Sequence, residues 1–141
     1  MKLTYAILAA AVVATPALAE GDAAKGEREF RKCIACHHIV DPAGEVIAGR
    51  AAVNTGPNLY GVIGRQAGTA EGFSGYSDAM VASGEAGLVW TEEELATYVA
   101  DPTAYLRDHS GDSSARSNMT FKLPRGGEDV AAYLAQFGGE M

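Results

Sequence analysis

Apolar residues recur at helical spacing in a few short windows, separated by long polar stretches. In residues 22–36, Phe30 stands three and four positions before Cys33 and Ile34, with Gly26 one turn earlier on the same face. That spacing places side chains on one side of a helix. Ser77 can cap a shorter helix that runs to Ala82, with Gly84 ending it. Thr91-Glu92-Glu93-Glu94 has the form of a capping box and opens a third helix with Leu95, Tyr98 and Val99 on its inner face. Asp101 before Pro102 starts a fourth, because proline is pre-set for the first helical position; Tyr105 and Leu106 face inward from it. The last window, Glu128 to Phe137, sets Val130, Tyr133, Leu134 and Phe137 at i, i+3, i+4 and i+7. No segment reads as a strand, and there is no repeat and no domain linker. The expected fold class is all-α, about five helices joined by long loops.

The loops are the difficulty. Residues 38–76 are rich in Gly, Pro, Asn and Ser, and residues 108–118 read DHSGDSSARSN. Long structureless loops in a compact domain call for a functional reason. A large apolar group enclosed by them would supply it.

Residues 1–19, MKLTYAILAAAVVATPALA, carry a positive Lys2, an apolar run from Ile7 to Val13 and the small-x-small site Ala17-Leu18-Ala19. This is the pattern of a cleaved secretory signal peptide. The run is short for a membrane span of about 20 residues. The mature product is then a single domain, residues 20–141, soluble and exported to a bacterial periplasm. Its ten basic and 18 acidic residues give a formal charge of −8. Such a balance argues against nucleic acid or anionic membrane as a partner. With the leader gone, the apolar content is thin for a self-sufficient core, and two cysteines permit at most one disulfide.

The chemistry lies in Cys33-Ile34-Ala35-Cys36-His37, the C-x-x-C-H attachment signature of c-type haem. Two thiols three residues apart on one helical turn can reach the two vinyl groups of a porphyrin and form thioethers. The adjacent imidazole then lies under the ring as a ligand to iron. Three other accounts compete: a thioredoxin-like dithiol, which lacks a βαβ context here; a zinc site drawn from Cys33, Cys36 and two of His37, His38 and His109; and a plain disulfide.

The iron's second axial position has five candidates: Met80, Met119, Met141, His38 and His109. His38 is too close to His37 to cross the ring, Met141 is terminal, and Met80 reads as a core residue of a short helix. Met119 sits in Ser117-Asn118-Met119-Thr120-Phe121, an irregular stretch where a side chain can be aimed freely. The choice falls on Met119, with His109 the alternative. His/Met ligation raises the reduction potential and closes the coordination sphere against O₂ chemistry, which points to one-electron transfer and away from catalysis. The rivals are a haem enzyme or gas sensor with an open iron site, and a thiol oxidoreductase.

With these residues in place, the chain resembles a class I c-type cytochrome, and within that class a bacterial cytochrome c2. The resemblance covers essentially all of residues 20–141. It rests on Gly21-Asp22-Ala23-Ala24-Lys25-Gly26 and Phe30 before the haem motif, Thr55-Gly56-Pro57-Asn58-Leu59-Tyr60-Gly61, Gly64-Arg65, Tyr76-Ser77-Asp78-Ala79, Trp90 to Glu93, Tyr98 to Pro102, Met119 to Leu123 and Gly127 to Leu134. The resemblance implies the cytochrome c fold and one covalently bound haem c. It implies that the Pro57 carbonyl accepts a hydrogen bond from His37, that Tyr98 hydrogen-bonds near the Met119 sulfur, and that Arg65, Tyr76 and Trp90 hold the haem propionates. Gly26 and Phe30 would pack against Val130 and Tyr133. One departure stands out: the segment before the axial Met, lysine-rich in many of these proteins, has no lysine here.

Residues 25–32 and 113–127 are locally positive, by +2 and +3, on an acidic chain. The expectation is a basic ring around the haem edge that steers a monomeric carrier to acidic faces of redox proteins. By resemblance these are a bc1 complex as donor and a photosynthetic reaction centre, terminal oxidase or denitrification reductase as acceptor.

Overall fold

The computed structural model describes residues 21–138; the expected leader and Met141 lie outside them. Five helices form: α1 (Ala23–Phe30), α2 (Asp78–Glu85), α3 (Glu92–Ala100), α4 (Pro102–Ser110) and α5 (Gly127–Leu134). Four begin at side-chain caps legible in the sequence. Asp22 accepts from the backbone N–H of Ala24 and Lys25, Ser77 from Met80, Thr91 from Glu94 and Asp101 from Ala104. Each satisfies a backbone donor that the first helical turn leaves free.

The helix ends differ from the sequence pattern. The first helix stops at Phe30 and continues to His37 as tight turns, Cys33 N donating to Phe30 O at 2.8 Å and His37 N to Cys33 O at 2.9 Å. Gly84 does not stop α2, which runs on to Glu85. The fourth helix reaches Ser110, three residues into the expected loop, and ends where Gly111 turns left-handed at φ 70°. The last helix closes at Leu134, with Phe137 in the turn beyond. The Thr91 box is one-sided: the Glu94 carboxylate accepts from the Tyr105 hydroxyl instead of reaching back. A small hairpin was not foreseen. Strands β1 (Ile39–Val40) and β2 (Val46–Ala48) pair antiparallel, and Asn58 fastens the hairpin by bonding both backbone groups of Val40 at 3.0 and 2.8 Å.

Helices α1 and α5 cross in direct contact, and α3 packs on α5. A Cβ built on Gly26 would stand 1.9 Å from the Asp129 carbonyl oxygen and 2.8 Å from Tyr133 Cβ. Glycine is therefore what lets the two backbones approach. Next to it Phe30 meets Tyr133 with ring centroids 5.6 Å apart. Asp22 N donates to the Asp129 carboxylate at 2.7 Å, tying both helix starts together. The loops are held too: residues 64–67 run beside 88–90, with Gly64 N donating to Trp90 O at 2.7 Å and Trp90 N to Arg65 O at 3.0 Å.

Replacing Gly26 with Ala forces α1 and α5 apart. We expect it to cost about 1–3 kcal/mol, the usual range for overpacking, read as a lowered midpoint in thermal unfolding. An unchanged midpoint would show that the crossing tolerates a methyl group.

Candidate functional site

The loops and helices enclose one large apolar cleft. Its 1320 Å³ of empty space includes an open mouth. Apolar side chains from α1, α3 and α5 form much of its wall, among them Phe30, Leu95, Val130 and Leu134. The cleft also gathers Cys33, Cys36, His37, Pro57, Arg65, Tyr76, Trp90, Tyr98 and Met119, every residue singled out for the haem site. His109 is elsewhere. It stands exposed at the end of α4, stacked on Tyr105 with centroids 5.6 Å apart, and lines a separate shallow depression. His38 is buried and turned away, its Nδ1 donating to Val53 O at 2.8 Å.

His37 is oriented from behind. Its Nδ1 lies 2.9 Å from the Pro57 carbonyl oxygen, which can only accept, so the proton sits on Nδ1 and Nε2 is left as a lone-pair donor. Burial holds the ring's pKa below its ordinary value, outweighing the opposite pull of the Pro57 bond. The neutral, ligating form is thereby favoured. Gly56 backs the imidazole; a Cβ there would fall 2.4 Å from His37 Cε1.

Cys33 has its thiol pKa pushed up to about 11, first by burial and then by the Glu29 carboxylate. A thiol so far from ionising is a poor nucleophile, which counts against a thiol oxidoreductase. Among the described residues no three His, Cys, Asp or Glu side chains gather as a metal group.

Arg65 donates to the Asn58 and Tyr60 carbonyls at 3.1 and 3.3 Å. Burial lowers its pKa, with Tyr76 acting in the opposite sense. The Tyr76 oxygen accepts from Ala70 N at 3.0 Å, so its proton remains to be donated. Trp90 and Tyr98 pack at 5.0 Å. The Tyr98 hydroxyl pairs with Ser117 Oγ at 2.9 Å, and burial raises its pKa against the lowering effect of that bond.

Sequence reasoning missed three features. Met80, read as plain core, also lines the cleft. Ser117 and Asn118 fix the segment before Met119, Asn118 bridging to Gly75 O at 3.0 Å. The basic segments are partly neutralised, since Lys25, Lys32 and Lys122 pair with Asp22, Glu29 and Asp101 at 3.6, 2.6 and 2.7 Å. Among the described residues, Arg28, Arg31, Arg116 and Arg125 have no such partner.

The fit to a haem is direct: an apolar cleft, two thiols at the ends of one turn in its wall, one imidazole presenting Nε2, the Met119 thioether in the same cleft, and hydrogen-bond donors from Arg65 and Tyr76.

No protein-family model matches the chain. It is similar to the cytochrome c2 of Rhodobacter capsulatus, 56% identical over 136 residues and covering 96% of each chain. It is likewise similar to cytochrome c-551 of Roseobacter denitrificans, 54% identical over 133 residues, 94% of this chain and 93% of the other. Among solved structures, the cytochrome c2 of Rhodobacter sphaeroides superposes with a TM-score of 0.79 at 48% identity, covering 84% of this chain and 97% of that one.

Gly56→Ala should push His37 off the Pro57 carbonyl. The expected result is a haem protein with a perturbed, partly high-spin visible spectrum and a lower unfolding midpoint. A native spectrum with unchanged stability would mean the imidazole has room to spare.

Proposed function

The chain belongs to the cytochrome c2 family, and from that membership we propose a soluble periplasmic one-electron carrier with His37 and Met119 as axial ligands of its single haem c. Proteins of this family carry one covalently attached haem and act as redox carriers. The observation that carries the reading is the convergence of Cys33, Cys36, His37 and Met119 on one apolar cleft. Residues 1–19 act as a signal peptide and residues 20–141 as the working domain. Among the described residues, no helix is long and apolar enough to cross a membrane.

When bound, the haem supplies an iron that gains and loses one electron. The protein's residues do the rest. Cys33 and Cys36 would tether the group as thioethers. Pro57 holds the His37 tautomer and would strengthen its donation to iron, as partners of metal-bound imidazoles do. Arg65, Tyr76 and Trp90 would donate to the propionates, offsetting negative charge that burial would otherwise penalise. The Phe30, Leu95 and Leu134 wall would keep water from the haem, and Met119 would give its thioether sulfur to the iron and so leave no place for a substrate. The protein is therefore a carrier and not an enzyme.

Its partners are redox proteins met by transient electrostatic docking of a monomer. A quinol-oxidising bc1 complex serves as donor, and a photosynthetic reaction centre, terminal oxidase or denitrification reductase as acceptor, in photosynthesis or a respiratory chain. The exposed arginines beside the haem ligands, Arg31 and Arg116, supply the attraction to acidic faces.

Two measurements test this reading. Met119→Ala should abolish the weak red charge-transfer band of a thioether–iron bond and let the reduced protein bind CO; a wild-type protein that is already high-spin and binds CO sinks the His/Met assignment. Rates with a bc1-type donor should fall as ionic strength rises, less steeply in an R31Q/R116Q variant. Rates independent of salt would refute the steering.

A further inference from the structure

We propose that the face between α3 and α4 is a second port for electrons, joined to the haem cleft by the packed rings of Trp90, Tyr98, Tyr105 and His109 and suited to a redox protein that presents positive charge. This rests on the carrier reading above, since it needs a haem in the cleft, and it concerns where a second kind of partner can reach it.

Trp90 and Tyr98 line the cleft and pack on each other at 5.0 Å. Tyr105, from α4, touches both, its ring centroid 6.0 Å from Trp90 and 5.7 Å from Tyr98. His109, one helical turn further on, stacks on Tyr105 at 5.6 Å with 9° between the ring planes. Every step lies within the range of rings in contact, about 4.5–7 Å. Trp90, Tyr98 and Tyr105 are 6, 6 and 8% exposed, whereas His109 is open to solvent. The Tyr105 hydroxyl is tied to the Glu94 carboxylate of α3, which fixes the middle ring between the two helices. The rings thus run unbroken from the cleft wall to the surface. An electron tunnels better through atoms in contact than across gaps. One electron passes between the partner's redox centre and the haem iron, one oxidised as the other is reduced; no bond changes and no proton moves.

Charge selects the partner. Tyr105 and His109 line a shallow depression together with Asp101 and Asp108. Residues 92–112, which make up both helices, hold Glu92, Glu93, Glu94, Asp101, Asp108 and Asp112 against the single base Arg107. Arg107 is engaged on the Ala115 carbonyl at 3.0 Å, and Lys122 offsets part of the charge by meeting Asp101 at 2.7 Å. Residues 113–127, which carry Met119 into the cleft, hold three bases and no acid. The mouth and the α3–α4 face are therefore opposite in sign. A positively charged partner is repelled at the first and drawn to the second. The depression is too shallow to bury a small ligand as binding pockets do. It suits the small contact area of a transient electron-transfer encounter.

The test uses the haem-loaded protein and small charged probes. Hexaamminechromium(III) is cationic, paramagnetic and redox-inert, so NMR signals broaden where it docks. Those of Thr97, Ala104, Asp108 and His109, which line the depression, should broaden before those at the cleft mouth. Hexaammineruthenium(II) then reports electron transfer from a cation, and ferricyanide reports transfer to an anion. His109→Leu and Tyr105→Leu should slow reduction by the ruthenium cation several-fold and leave oxidation by ferricyanide at the wild-type rate. His109→Phe keeps a ring and should react with ruthenium as the wild type does. Leucine and phenylalanine alter the charge alike, so a difference between them belongs to the ring. The ruthenium rate should also fall as ionic strength rises. The proposal is overturned if His109→Leu and His109→Phe react alike, if the leucine variants slow both reagents equally, or if chromium broadens only the mouth or all surface carboxylates evenly. Where Tyr105→Leu fails to fold, the two variants of the exposed His109 decide alone. A wild-type protein that exchanges electrons with neither reagent strikes the carrier reading, and the port with it.

Discussion

The apolar faces of α1, α3 and α5 do not all close on one another; part of each is turned to a cleft. Phe30, Val130 and Leu134 are 2, 3 and 2% exposed, yet all three line it. A cluster built this way is satisfied only when something apolar fills its centre, because a void leaves wall atoms without partners. The long loops follow from the same constraint. Residues 55–65 and 73–77 cover the cleft and supply its polar edge, and they are held by backbone and Asn58 bonds in place of regular structure. Glycine at position 26 belongs to this logic. By letting α1 approach α5 it brings the turn that bears Cys33, Cys36 and His37 against the wall made by Val130 and Leu134.

What could be read from the sequence was whatever depends on near neighbours. The caps at Asp22, Ser77, Thr91 and Asp101 need only three or four residues of context. The haem motif needs five, and the Gly26–Phe30 pairing with α5 follows the helical period. The rest depends on contacts across the fold. α1 ends at Phe30 because the following residues must bend to present two thiols and an imidazole, which no propensity encodes. The β1–β2 hairpin is fastened by Asn58, 18 positions beyond Val40. Glu94 leaves its capping role for Tyr105, 11 residues on and on another helix. Family resemblance put Tyr98 near the Met119 sulfur; that its hydroxyl pairs with Ser117, two residues before Met119, could not be read from it. Whether a tyrosine finds a serine or a sulfur is settled by orientations that spacing cannot show.

The segment carrying Met119 is held almost entirely by neutral hydrogen bonds. Leu123 N donates to Val99 O at 2.7 Å, Ser117 N to Thr103 Oγ1 at 3.2 Å, and Asn118 to Gly75 O at 3.0 Å. The two charged contacts are the Arg107 bond to Ala115 O at 3.0 Å and the exposed Lys122–Asp101 pair. An exposed pair of that kind is worth about 0–1 kcal/mol. Salt therefore has little purchase on the ligand segment. The unpaired arginines Arg31 and Arg116, by contrast, face solvent, where screening is strongest. In the carrier proposed above, docking and ligation would depend on different physics within a few residues of each other. Such a separation suits a carrier that must meet partners through changeable surface charge while its iron environment stays fixed. A lysine-rich strap before Met119 would couple the two, because the same charges would hold the loop and meet the partner. The lysine-free stretch from Asp108 to Asn118 keeps them apart.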